Sequence, residues 1–136
     1  MADRFSPEKR SQIMASIHGC DTTPERLVRS AAHRLGFRFR LHVRSLPGCP
    51  DIVFPKHHKI VFVHGCFWHG HKRCKRSKLP VTNVAFWKKK LSGNTERDRR
   101  NLRSLRRMGW GVLVLWECEL KKPPDLCLRL QEFLFS

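Results

Sequence analysis

Thiol and imidazole side chains are concentrated between residues 64 and 74, where the sequence reads HGCFWHGHKRC. Zinc takes thiolate and imidazole ligands in tetrahedral geometry, usually from two short clusters. Cys66, His71 and Cys74 supply three such ligands within nine residues. Cys118, which follows a predicted buried strand, is the best-placed candidate for the fourth. The stretch therefore predicts a closed, structural zinc site, although a single cysteine of this kind would more often be a small core residue.

Carboxylates in a strongly basic chain indicate a second kind of chemistry. Only 11 acidic residues stand against 28 lysines and arginines. Asp51 leads an apolar strand, and Glu25 lies on an earlier predicted helix. Carboxylates at the entrance of a strand can hold Mg²⁺, a hard ion, between protein and phosphate. Taken alone, Asp51 is more typical of a turn, but an acid retained in basic surroundings favours a metal site.

The formal net charge of +17 predicts a polyanionic partner, most often nucleic acid. Half of the cationic side chains, 14 of 28, fall between residues 72 and 107, beside the predicted zinc loop. That concentration favours a footprint on a phosphate backbone over a merely solvated surface. No apolar run is long enough to span a bilayer, and the first residues have no apolar segment typical of a secretion signal. We therefore expect a cytoplasmic protein, in which the six cysteines are not a disulfide framework.

Helical and strand patterns alternate along the chain and indicate one α/β domain over residues 1–136, with a mixed central sheet of about four strands flanked by helices. Residues 1–20 are predicted as an N-terminal helical arm. An alternating stretch predicts a strand over residues 37–44, with Phe37, Phe39, Leu41 and Val43 on one face. The other predicted elements are a helix at 22–35, hairpin strands at 51–54 and 60–63, helices at 84–91 and 94–108, a central strand at 112–116, and a closing helix after residue 124.

Several of these stretches closely resemble the very-short-patch-repair (Vsr) DNA mismatch endonucleases, in order and at the spacing of that family. The resemblance runs from about residue 10 to residue 120, and its most specific part is the HGCFWHGH motif at 64–71. The other matching stretches are LPGCPDIV at 46–53, FW at 86–87, NTERD at 94–98, GW at 109–110 and WEC at 116–118.

This resemblance implies a variant of the type II restriction-endonuclease fold with a structural zinc. It implies an enzyme that nicks one strand of double-stranded DNA next to a T:G mismatch by Mg²⁺-dependent hydrolysis, which would initiate very short patch repair. A cytosine methyltransferase system and general mismatch-repair proteins would be partners of such an enzyme. We expect a monomer with no membrane partner, in a prokaryotic cytoplasm and associated with the nucleoid when bound to DNA.

The resemblance also assigns roles to matching residues. Asp51 would bridge to Mg²⁺ beside the carbonyl of Val63, and His69 would be the general base. The supporting polar groups around the metal and the scissile phosphate would be Glu25, His64 and Asp98. The zinc ligands would be Cys66, His71, Cys74 and Cys118. Three groups of side chains would face DNA. The wedge into the base stack would be formed by Phe67, Trp68 and Trp87. The phosphate backbone would be contacted by Lys88, Lys89 and Lys90, and the minor groove by Met14 and Ile17.

Two features depart from the expected pattern. Lys72-Arg73 lengthens the gap between His71 and Cys74, which predicts a bulge in the loop. The second acid and the lysine of the usual restriction-enzyme pattern are absent, so proton transfer must rely on histidine. Two other functions stay open: an endonuclease of different specificity associated with a restriction-modification system, and a non-catalytic zinc module that binds nucleic acid through charge.

Overall fold

The computed structural model describes residues 22–136, which form four strands and three α-helices. The predicted N-terminal arm, with Met14 and Ile17, lies outside the described residues. The helices are α1 (Thr23–Arg34), α2 (Val84–Arg107) and α3 (Pro123–Leu134). The strands are β1 (Arg40–Leu41), β2 (Ile52–Phe54), β3 (Lys59–His64) and β4 (Gly111–Trp116). Within this part of the chain, no helix has the length and apolar character needed to cross a bilayer.

The strands form one mixed sheet in the order β1-β2-β3-β4. β1, β2 and β3 are antiparallel neighbours, whereas β3 and β4 run parallel, with Lys59 opposite Gly111 and His64 opposite Trp116. A parallel pair needs a long crossover connection, and α2 supplies it. The predicted mixed sheet of four strands is confirmed.

Helices cover both faces of the sheet. On one face, α1 and α3 pack through residues such as Val28, Ala32 and Leu130 against the buried side chains of β2 and β3. On the other face, Leu105 of α2 packs against Ile60 and neighbouring residues. The result is a three-layer domain in which β3 is buried along nearly its whole length.

The structure changes three details of the predicted elements. The strand predicted at 37–44 shortens to two residues because His42 has a left-handed backbone with φ of 48°. Its apolar side chains do not share one face: Phe37 and Phe39 pack on the α1 side, Val43 packs on the α2 side, and Leu41 is exposed. The regular alternation of the sequence was therefore misleading here.

The other two corrections concern α2 and β4. The two helices predicted around Gly93 form one continuous helix of 24 residues. The strand predicted as central is an edge strand among the described elements, since β4 pairs only with β3. Its apolar run has another cause: Leu113 packs on one face of the sheet and Val112 on the other, so both faces of the strand are covered by helices.

Candidate active site

The predicted catalytic residues meet at one end of the sheet. β3 and β4 end there side by side, and β2, which is antiparallel to β3, begins there. Asp51 stands directly before β2, and His64 is the last residue of β3. A cleft of about 760 Å³ opens at this end, lined among others by Glu25, Asp51, His64, His69 and Asp98.

Glu25, His42 and Asp51 form the first group in the cleft, with ligand atoms within 4.8 Å of one another. Thr22 caps α1 and accepts a hydrogen bond from the backbone of Glu25, which fixes that carboxylate in the first turn. His42 Nε2 lies 3.0 Å from Glu25 Oε2. The Val63 amide donates to Asp51 Oδ2 at 2.7 Å. Two carboxyl groups and an imidazole thus converge on one point.

The ionisation of Asp51 reflects this crowding. Burial raises the pKa of its carboxyl from 3.8 to about 7, and the nearby Glu25 carboxyl adds to the rise, while the hydrogen bond from Val63 opposes it. Two carboxylates in a partly desolvated site repel each other unless a proton or a cation lies between them. The pair therefore has the chemistry of a site for a hard divalent cation.

His64, His69 and Asp98 form the second group, again with ligand atoms within 4.8 Å. His69 Nδ1 lies 2.6 Å from Asp98 Oδ2, and Asp98 is carried by α2. The His64 ring stacks on the His69 ring at 3.8 Å with an interplanar angle of 3°. Burial lowers the pKa of His64 to about 3, with the neighbouring His69 as a further cause. His64 is therefore neutral at pH 7, and its Nδ1 is the one buried side-chain nitrogen or oxygen of residues 22–136 without a hydrogen-bond partner.

Cys66, His71, Cys74 and Cys118 form the third group, and their ligand atoms also lie within 4.8 Å of one another. The register of β3 and β4 explains why Cys66 and Cys118 lie close together. The two strands are parallel and end side by side, and Cys66 follows the end of β3 by two positions, as Cys118 follows the end of β4. Cys118 Sγ lies 3.5 Å from His71 Nδ1. The four residues of the sequence prediction are thus brought together.

The donor set of this third group fits zinc. Burial raises the pKa of the Cys66 thiol to about 12, so an ionised Cys66 needs a cation beside it. Burial acts in the same direction on Cys74, but hydrogen bonds from the Arg76 amide and His71 lower the pKa of that thiol to about 7. Three thiols and an imidazole are ligands that zinc prefers.

The loop that carries Cys66 and Cys74 is held by short polar contacts. Ser77 Oγ lies 2.6 and 2.8 Å from the carbonyl oxygens of His71 and Cys74, which share its one hydroxyl hydrogen. Asn94 on α2 donates to the carbonyl of Trp68 at 3.0 Å. The bulge predicted from Lys72-Arg73 corresponds to a left-handed residue, Arg73, with φ of 59°. The extra length is therefore absorbed by a turn that still returns Cys74 to the cluster.

The three predicted wedge residues form one aromatic cluster. Phe67, Trp68 and Trp87 have ring centroids 5.0 to 5.9 Å apart, and all three are partly exposed. Phe67 and Trp68 line the cleft, so the cluster stands beside the His69 group. Lys88, Lys89 and Lys90 follow on the exposed first half of α2.

A column of aromatic rings links the thiol cluster to the second group. Trp116 stacks on His71 at 4.1 Å and meets His64 edge-on at 5.2 Å, and His64 in turn stacks on His69. Trp116 lies in a stretch that the sequence resemblance includes, but its bridging position depends on the register of β3 and β4. His42 was also missed as a site residue, because the alternating pattern placed it only on the polar face of a strand.

Comparison with known proteins identifies the family. Residues 2–76, more than half of the chain, match the family model described as DNA mismatch endonuclease Vsr. A type II nicking enzyme of Xanthomonas oryzae pv. oryzae, V.XorIIP, is 46% identical over 134 residues, which cover 98% of both chains. The DNA mismatch endonuclease Vsr of Escherichia coli K12 is 42% identical over 139 residues, covering 98% of this chain and 88% of its own. The chain belongs to the Vsr family.

As a member of the Vsr family, the chain is a DNA endonuclease. A further relative, the type II nicking enzyme V.NmeAIP of Neisseria meningitidis, is 46% identical over 121 residues, covering 89% of this chain and 86% of its own. Family membership removes the non-catalytic zinc module from consideration. It also accounts for the formal net charge of +17.

Proposed function

We propose that this Vsr-family protein nicks one strand of duplex DNA next to a T:G mismatch by Mg²⁺-dependent hydrolysis, the step that initiates very short patch repair. The observation that carries the proposal is the convergence of a carboxylate pair, Glu25 and Asp51, with a histidine–aspartate pair, His69 and Asp98, in one cleft. A hydrolytic site for phosphodiesters needs both a place for a cation and a proton acceptor.

Asp51 is the principal ligand that would hold Mg²⁺, with Glu25 and the carbonyl of Val63 beside it. When bound, the ion neutralises charge on the scissile phosphate and lowers the pKa of a bound water. The hydrogen bond from the Val63 amide goes to Oδ2 of Asp51 and fixes the orientation of the carboxylate. The amide does not engage Oδ1, the other carboxylate oxygen. His42, at 3.0 Å from Glu25, positions the second carboxylate.

His69 is the proposed general base. The hydrogen bond between His69 Nδ1 and Asp98 places the proton on Nδ1, which leaves Nε2 with a lone pair to accept a proton from water. His64 supports the ring of His69 through the 3.8 Å stack and, being neutral, adds no competing positive charge.

Cys66, His71, Cys74 and Cys118 would hold a structural Zn²⁺. Four protein ligands close the tetrahedron, so no position remains for substrate. Their role is to fix the loop of residues 65–78 on the end of the sheet. Because that loop carries His69 and the aromatic residues Phe67 and Trp68, the zinc would position both the base and the wedge.

The aromatic cluster of Phe67, Trp68 and Trp87 would read the mismatch. A T:G pair keeps its hydrogen bonds but stacks poorly, so opening the base step costs less there than at a matched pair. Aromatic side chains inserted at such a step recover roughly 1–3 kcal/mol per base by stacking. Met14 and Ile17 are proposed to contact the minor groove, and Lys88, Lys89 and Lys90 the backbone.

A second specificity is favoured by the names of the relatives. V.XorIIP and V.NmeAIP are called type II nicking enzymes, which fits an endonuclease that accompanies a restriction-modification system and its cytosine methyltransferase. Both functions use the same cleft and differ in the sequence around the mismatch. The bacterial origin of these relatives supports a cytoplasmic protein that meets DNA in the nucleoid.

The test is a nicking assay on duplexes that differ by a single T:G or T:A pair, with and without added Mg²⁺. We expect one nick, on the T:G duplex, that requires Mg²⁺. Asp51→Asn should abolish nicking yet retain DNA binding, whereas Asp125→Asn, at an exposed acid of α3, should behave as wild type. Equal nicking of matched and mismatched duplexes in every sequence context would refute the mismatch specificity, and full activity of Asp51→Asn would remove Asp51 from the mechanism.

A further inference from the structure

A groove of about 440 Å³ runs along the second half of α2, outside the cleft described above. Its walls are Arg99, Leu102, Arg103, Arg106 and Arg107. These positions follow the spacing i, i+3, i+4, i+7 and i+8, which places them on one face of an α-helix. The four arginines are all exposed. We call this feature the arginine groove.

The positive charge of the arginine groove is largely uncompensated. Arg99 lies 3.7 Å from Glu96, and both side chains of that pair are well exposed. Within residues 22–136, Arg103, Arg106 and Arg107 make no ion pair. Like charges at these helical spacings repel one another and weaken the helix. An anionic ligand would therefore stabilise this helix face, because it would offset the repulsion among the arginines.

The arginine groove is adjacent to the cleft. Leu102 lines both cavities, so the two are direct neighbours on the surface. Asp98 of the cleft and Arg107 at the far end of the groove lie on the same helix. At a rise of 1.5 Å per residue, the helix carries the groove about 13 Å beyond Asp98. A polyanion long enough to follow α2 could therefore occupy the cleft and the groove together.

We propose that the arginine groove binds the phosphate backbone of the DNA duplex that flanks the nicked step. The inference rests on the proposed function, since it takes the scissile phosphate to lie between Asp51 and His69. Guanidinium groups bind phosphate oxygens through paired hydrogen bonds. A length of about 13 Å corresponds to roughly four base pairs of B-DNA. Because the guanidinium groups would contact phosphates and not base edges, their contribution to DNA affinity would be independent of the base sequence and of the mismatch.

The test compares two doubly substituted proteins of equal charge. Arg103→Gln with Arg106→Gln removes two charges from the arginine groove. Arg34→Gln with Lys122→Gln removes two exposed charges from the helix layer on the opposite face of the sheet. The dissociation constant of each protein for T:A and T:G duplexes is measured across a salt series without Mg²⁺, so that no nicking interferes. Thermal unfolding of each protein confirms that it is folded.

For the groove variant we expect weaker binding to both duplexes by the same factor and a shallower dependence of log Kd on log salt. Each lost phosphate contact should reduce the slope by about 0.9, hence about 1.8 for two. Arg103→Lys with Arg106→Lys should restore most of the slope, because the charge is kept. The control variant should keep the wild-type slope.

An unchanged slope in the groove variant, or an equal change in the control variant, would overturn the proposal. A loss confined to the T:G duplex would overturn it too, because the groove would then take part in reading the mismatch. The proposed function fails separately, if the wild-type protein with Mg²⁺ does not nick a T:G duplex. A shallower slope in a protein that nicks some other site would leave the groove assignment standing.

Discussion

The contact between His69 and Asp98 is the shortest polar contact in the cleft, at 2.6 Å, and it fixes the imidazole in the wall of the cleft that Asp51 also lines. Replacing His69 by alanine should lower the single-turnover nicking rate by about 10²–10⁴-fold, the usual contribution of a general base. Asp98→Ala should cause a smaller loss, because His69 remains but is no longer oriented. His33→Ala, at an exposed histidine of α1, serves as the control, and a fully active His69→Ala would exclude His69 as the base.

Asp51 should also make stability depend on pH. Its pKa is raised by burial to about 7, so between pH 4 and 7 the folded state holds a proton that the unfolded state releases. The free energy of unfolding should therefore fall as pH rises through this window and level off above it. Without divalent cations, Asp51→Asn should be more stable than wild type above pH 7, on the order of a few kcal/mol, with the difference vanishing near pH 4. Denaturant unfolding at several pH values measures it, and a pH-independent difference would argue against a protonated Asp51.

At the scale of single residues, the sequence predicted which residues belong to the three groups of the site better than it predicted the residues that contact them. Cysteine and histidine types alone indicated the thiol cluster, and the position of Cys118 after a strand supplied its fourth member. His42 could not be found in this way, because its approach to Glu25 depends on a left-handed backbone at residue 42. Trp116 could not be assigned a bridging place without knowing that β3 and β4 are parallel and in register.

At the scale of elements, α2 is the main structural support of the site. It carries Trp87 of the aromatic cluster, Asn94 that holds the loop, Asp98 of the second group and the arginine groove. Two helices were predicted because Ser92-Gly93-Asn94 is typical of a helix end followed by a cap. Helix packing through Leu91 and Leu105 overrides that local preference and keeps the helix continuous.

Gly93 offers a direct test of that continuity. It lies inside α2, its backbone has ordinary helical geometry, and a Cβ atom added there would meet nothing within 4 Å. Gly93→Ala should therefore raise the free energy of unfolding by about 0.5–1 kcal/mol and leave nicking unchanged. Gly70→Ala is the contrasting variant, because Gly70 has φ of 62° and its Cβ would lie 3.0 Å from Thr95 Oγ1. A destabilised Gly93→Ala would indicate that the helix bends at this point in solution.

At the scale of the whole molecule, zinc bound by the thiol cluster should connect the loop of residues 65–78 to the rest of the domain. We expect about one zinc per chain by elemental analysis of the purified protein. Zinc bound by small folding domains contributes roughly 10–16 kcal/mol of apparent binding free energy, so its loss should lower thermal stability strongly. Cys118→Ser should lose the metal, whereas Cys49→Ser, at an exposed cysteine outside the cluster, should retain it. Full zinc content in Cys118→Ser would exclude that residue as a ligand.

The distribution of acidic residues in the cleft has an electrostatic consequence. Four of the 11 acids of a chain with net charge +17 line it: Glu25, Asp51, Asp98 and Glu117. The cleft is thus more acidic than the chain as a whole, so a phosphate that entered it would be repelled unless a proton or a cation offset these carboxylates. Millimolar Mg²⁺, which as an added salt weakens binding elsewhere, should pull that phosphate in. Under the proposed function, the ion would thus separate two steps, the binding of DNA to the basic surface and the entry of the scissile phosphate into the cleft.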